Sequence, residues 1–100
     1  MNDISVSELK KRLDAGENIM MIDVREPYER EEFNIGGTLI PLGQISDVKN
    51  KFPNAKDDEI VVYCRSGARS GVAKLQMMGM GYNKVRNLTG GMMTWQTNFR

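Results

Sequence analysis

Histidine is absent from this chain. That excludes an imidazole general base, a Cys–His nucleophile pair and any zinc site that needs a histidine ligand. Cysteine occurs once, at Cys64. An internal disulfide and a Cys-x-x-Cys redox motif are therefore excluded. Two readings remain for that residue, a buried apolar thiol or a reactive one. Net charge is nearly absent as well: 14 basic and 13 acidic side chains leave +1. Nothing global drives the chain toward nucleic acid or a membrane surface, so any basic character that matters is local. No apolar run approaches the ~20 residues of a membrane span. The N-terminus Met1-Asn2-Asp3-Ile4-Ser5 is polar and acidic, unlike a signal peptide, so a cytoplasmic protein is expected. There is no internal repeat, linker or low-complexity segment. The 100 residues, 40% of them apolar, suit one small domain over 1–100.

What is present centres on Ile60-Val61-Val62-Tyr63-Cys64-Arg65-Ser66-Gly67-Ala68-Arg69-Ser70. Four apolar, β-prone residues lead into the cysteine. A short loop with Gly67 and two arginines follows, and then a helical pattern. Such a strand–loop–helix turn makes an anion site, because loop N–H groups converge and the helix dipole adds partial positive charge. A thiolate placed there is stabilised by the same donors, so its pKa falls. Arg65 and Arg69 deepen that effect if they stay close. Ser66-Gly67-Ala68 is small enough for the backbone to approach a ligand. Ser70 is read as an N-cap of the following helix.

The rest of the chain alternates strands with helices. A first helix opens near Ser5–Leu9, with Ser7 as its cap, and ends at Gly16. Ile19–Ile22 is continuously apolar, which suits a strand covered on both faces. Pro27 starts a short helix through Phe33. Leu39-Ile40 is a short strand, and Gln44–Phe52 a weaker helix. Ser70–Met80 is helical, with Val72, Ala73, Leu75, Met77, Met78 and Met80 forming a broad apolar face. Lys84–Leu88 reads as a charged edge strand, and Gly90-Gly91 turns into a last helix carrying Trp95. The alternation predicts an α/β fold with a mostly parallel sheet. Asp23 and Cys64 both end strands, so parallel pairing puts them on one edge, where sites form in such sheets.

The cysteine loop resembles the active-site loop of the single-domain rhodanese (sulfurtransferase) family. Ile22-Asp23-Val24-Arg25-Glu26 is similar to the family's first signature, and Leu88-Thr89-Gly90-Gly91 with Trp95 to its C-terminal one. The resemblance spans nearly the whole chain. It implies a three-layer α/β/α domain with about five strands. It also implies that Cys64 accepts sulfane sulfur and holds it as a persulfide. Arginine stands five residues after the cysteine here, at Arg69, whereas phosphatase relatives place it after Cys-x5. The shorter loop fits sulfur better than phosphate. The resemblance further implies that Arg69 closes the loop, where its guanidinium can fork onto the sulfonate of thiosulfate. Arg65 ranks second for that contact. Asp23 and Arg25 are implied to support the loop. One departure stands out. Asn34-Ile35-Gly36-Gly37-Thr38 replaces a His-Ile-Pro-Gly-Ala-like segment, which leaves the course of residues 34–41 open.

The implied activity is transfer of sulfur from a small anionic donor such as thiosulfate to cyanide, a dithiol or a protein thiol. No metal, cofactor, nucleic acid or membrane partner is expected. Two alternatives stay open. A small cysteine-dependent phosphatase has the nucleophile and arginine, but its loop is one residue short and no clear acid is present. A non-catalytic binding module of the same family usually lacks the cysteine that this chain keeps.

Overall fold

The computed structural model describes residues 2–99; Met1 and Arg100, the ends of the expected domain, lie outside them. The elements in order are α1 (Val6–Asp14), β1 (Met20–Asp23), α2 (Pro27–Glu32), β2 (Thr38–Leu39), α3 (Val48–Lys51), β3 (Glu59–Tyr63), α4 (Ala68–Gly79), β4 (Lys84–Asn87) and α5 (Gly91–Asn98). A 3-10 turn over Leu42–Asp47 precedes α3. The expected single helix over Gln44–Phe52 is thus two pieces, because Gln44 leaves helical geometry.

The strands pair in parallel in the order β2-β1-β3-β4. Side chains alternate across β3 and feed two cores. Ile60, Val62 and Cys64 pack with Val48 of α3, Ala73 and Met77 of α4, and Tyr82. Val61 and Tyr63 pack on the other face with Leu9 of α1 and with Met92 and Trp95 of α5. Helices therefore cover both faces of a parallel sheet, the three layers expected.

The sheet has four strands among the described residues, not five. Ile4 makes one parallel bridge beside Leu88 and then stops. Its N–H donates to the Asn87 carbonyl at 3.0 Å, and its carbonyl accepts from Thr89 at 2.9 Å. Ser5 caps α1 immediately afterwards, accepting the Glu8 N–H at 3.0 Å. Ser5, not Ser7, is the cap, and the fifth strand has no room to extend. The apolar face of α4 is also narrower than the sequence suggests. Ser70, Ala73 and Met77 are buried at helical spacing, whereas Val72, Leu75 and Met78 wrap round to solvent. No helix among the described residues is long and apolar enough to cross a membrane.

Candidate active site

Asp23 and Tyr63 are register partners in β1 and β3, so Asp23 and Cys64 leave the sheet at the same edge. Cys64 is buried. Its Sγ accepts the Gly67 N–H at 3.1 Å and the Ser70 N–H at 3.4 Å, and the Ser70 hydroxyl lies 3.3 Å away. The Ser66 N–H also favours the anion. The arrangement follows from how α4 begins. Gly67 is its N-cap at φ +101°, a left-handed backbone that glycine adopts without strain. The first N–H groups of a helix have no partner inside it. Here a sulfur takes the place of a capping oxygen. Burial pushes the Cys64 thiol up, but the Ser70 hydroxyl and the N–H groups of Ser70, Gly67 and Ser66 outweigh it and hold the thiol below its ordinary value. Ser70 is therefore not the helix cap; it sits in the first turn, fully buried, against the sulfur.

The loop is clamped from the other side by α5. Met92 and Met93 donate their N–H groups to the carbonyls of Cys64 and Arg65, each at 2.9 Å. A side chain at Gly91 would collide with those same two carbonyls, so only glycine lets α5 start this close.

The charged residues divide the work. Arg69 is forked onto Glu29 of α2 at 2.7 and 2.8 Å. That guanidinium, first among the causes, holds the Glu29 carboxyl at about 2. Both terminal nitrogens of Arg69 are thus engaged, and the cation sits within electrostatic reach of Cys64. Asp23 is fully buried and holds Arg25 through Nε and Nη2, each at 2.9 Å. It also accepts from Arg30 at 3.4 Å. These two arginines, in turn, donate to the carbonyls of Phe33 and Gly37 at 2.6 and 2.8 Å. Asp23 and Arg25 therefore brace residues 33–37, whose course the sequence left open, rather than the arginines of the cysteine loop. Arg65 is exposed. With Arg25, Tyr28, Glu29, Phe33, Met92 and Met93 it lines a cleft of about 330 Å³ beside the loop. Among the described residues no three His, Cys, Asp or Glu side chains gather as metal ligands.

The family model for the Rhodanese-like domain matches residues 5–98. The chain belongs to that family. A sulfurtransferase of Allochromatium vinosum is 38% identical over 96 residues, which are 95% of this chain and 88% of that protein. YrkF of Bacillus subtilis, provisionally named a sulfur carrier protein, is 37% identical over 93% of this chain, and this chain spans only 50% of its length. The crystal structure of a rhodanese-like domain protein from Staphylococcus aureus superposes with a TM-score of 0.85 at 30% identity, covering 95% of this chain and 91% of that one.

Within this rhodanese-like domain, two residues at the site escaped the sequence reading. Glu29 is one of four glutamates around α2, and nothing local marks it as the partner of Arg69. Asn87 ends β4, bonded to both Ser70 and Gly67. A signal for it existed. It lies two residues after buried Val85, so alternation puts a polar side chain on the core face.

Proposed function

We propose that this rhodanese-like domain is a sulfurtransferase that carries sulfane sulfur on Cys64 as a persulfide. The observation that carries this reading is the convergence of Gly67 N–H, Ser70 N–H and Ser70 hydroxyl on one buried sulfur. It favours a thiolate in a chain that has no histidine to act as base. The names of the relatives from Allochromatium vinosum and Bacillus subtilis support the same chemistry.

With thiosulfate as donor, the Cys64 thiolate attacks the outer sulfur. A sulfur–sulfur bond forms to Sγ, the bond to the sulfonate sulfur breaks, and sulfite leaves with the electron pair. The loop Ser66-Gly67-Ala68 offers its backbone to the bound sulfur. Cyanide, a dithiol or a protein thiolate then attacks that sulfur, and Cys64 leaves as a thiolate again. Arg65 is the cation that meets the donor's sulfonate, since it is exposed on the cleft, while Arg69 is held by Glu29 and contributes charge from a fixed position. A cleft of about 330 Å³ is roomier than thiosulfate needs and suits a thiol on a larger acceptor.

Thiocyanate formation from thiosulfate and cyanide tests this reading. Cys64→Ser is expected to fall to the uncatalysed rate. Arg65→Ala is expected to raise KM for thiosulfate about tenfold, the loss of one charge-assisted contact. Thiocyanate formed by Cys64→Ser at the wild-type rate contradicts the assignment.

A further inference from the structure

The hydroxyl of Ser70 has two acceptors and one proton. Its oxygen lies 3.3 Å from Cys64 Sγ and 2.5 Å from Oδ1 of Asn87. The second distance is at the short end for an O–H···O bond. A hydroxyl donates once, so both bonds cannot be donated together. Turning the amide of Asn87 over does not resolve the conflict. Its Nδ2 donates to the Gly67 carbonyl at 3.0 Å, and only the NH₂ end can make that bond. Gly67 thereby fixes Oδ1 toward Ser70.

We propose that Asn87 is a positioning residue that sets where the Ser70 proton rests and so adjusts Cys64 from one side chain away. The inference rests on Cys64 being the reacting thiol. When Sγ is a thiol, the proton lies on the Asn87 side, and the Ser70 oxygen is free to accept from S–H. When the thiol ionises, its proton passes to water and no electron moves. The Ser70 hydroxyl then rotates to donate to the anionic sulfur and releases Asn87. In the persulfide the inner sulfur is bonded to the outer one and carries little charge, so the hydroxyl returns to Asn87. As an acceptor attacks the outer sulfur, Sγ departs with the electron pair and the proton swings back to it. The leaving thiolate thus gains a donor that the resting persulfide lacks, an interaction stronger at the transition state than before it.

The charged groups around this relay are few. Arg69 on α4 feels the Cys64 charge and is bonded to Glu29. Asp3 of the N-terminal segment accepts the Asn87 backbone N–H at 3.0 Å and pairs with Lys74 at 2.7 Å. Arg69 is held above its ordinary value by Glu29, and Glu29 and Asp3 are held below theirs, so these three keep their charge across the range in which a thiol titrates.

Thiolate absorbance against pH, read as a difference from Cys64→Ser, measures the sole cysteine without any sulfur transfer. Removing the competing acceptor takes stabilisation from the thiol form only. Asn87→Ala and the nearly isosteric Asn87→Leu are therefore both expected to lower the midpoint, by about half to one pH unit. Asn87→Asp, which grips the proton harder and adds charge, is expected to raise it. Ser70→Ala is expected to raise it too, and adding Asn87→Ala to Ser70→Ala is expected to move it no further. If the apolar and acidic variants shift the midpoint in the same direction, or if Asn87→Ala acts equally with and without the Ser70 hydroxyl, Asn87 works through the loop backbone and the proposal is overturned. Failure to form a persulfide, with this coupling intact, would count against sulfur transfer and not against the relay.

Discussion

Cys64 is stabilised as an anion by hydrogen bonds and not by a neighbouring base, and this shapes its pH dependence. Its thiol lies below the ordinary cysteine value because the Ser70 and loop donors outweigh burial. Sulfur uptake is therefore expected to rise with pH and level off at a lower pH than the reaction of a free thiol, near 8.5. Single-turnover rates of persulfide formation across pH check this; a rate still climbing above the free-thiol value contradicts it. Linkage gives a matching sign. A lowered folded value favours the native state where the thiolate exists, an increment complete above the unfolded value and lost as pH falls through the folded one. The Arg69–Glu29 pair sits partly in solvent, with 36% of the arginine side chain exposed. Glu29→Gln is expected to cost at most about 1 kcal/mol in denaturant unfolding and to leave kcat within a few fold, because the pair positions rather than reacts. Cys64 was legible as the candidate nucleophile because strand, glycine and arginines adjoin it in sequence. Glu29 and Asn87 were not, because their partners lie on other elements.

Glycines at the two element junctions beside Cys64 are under different constraints, which stability measurements can separate. At Gly91 an added methyl meets the Cys64 and Arg65 carbonyls, which are backbone and cannot swing aside. Gly91→Ala is expected to destabilise by about 2 kcal/mol or more and to displace the start of α5. At Gly67 the added methyl finds ordinary contacts, so only the φ of +101° is strained. About 1–2 kcal/mol is expected for Gly67→Ala, with a higher Cys64 pKa as the cradle opens. Gly79, at the end of α4 with open space around it, is the control. Gly79→Ala is expected to be neutral or to stabilise by up to about 1 kcal/mol. Urea unfolding of the three variants gives the ranking, and equal losses would contradict it. Strand ends and most helices were readable from apolar runs punctuated by glycine and proline. Helix α4 starts at Ala68, two residues before the Ser70 that the sequence suggests, because a sulfur and a glycine make its cap where a serine is the natural candidate.

Across the whole molecule the parallel sheet brings Asp23 and Cys64 to one edge and an ion cluster to the opposite end. Glu59, which opens β3, accepts from Arg12 at 2.6 Å and from Arg86 at 3.0 Å. The Arg12 bond leads the causes that hold Glu59 at about 2, as Arg69 does for Glu29. Both carboxyls are depressed in the folded state, so their contribution is full above the unfolded value near 4.3 and is lost as pH falls toward about 2. The contribution of these two carboxyls is expected to be flat from pH 7 to about 5 and stability to decline below that, with a shallower decline in Glu59→Gln. Denaturant midpoints measured over that range check it, and an unchanged slope in the variant contradicts it. The alternation of elements was enough to read a parallel α/β fold. It could not show that residues 8, 12, 59 and 86 meet, nor that Ile4 contributes a single bridge instead of a strand, since both depend on strand order. Whether Cys64 carries sulfur is read from the intact mass of the protein after incubation with thiosulfate. The wild type is expected to gain one sulfur atom that cyanide removes, and Cys64→Ser to gain nothing. A sulfur gained equally by Cys64→Ser, or a wild type left unmodified by thiosulfate, would contradict it.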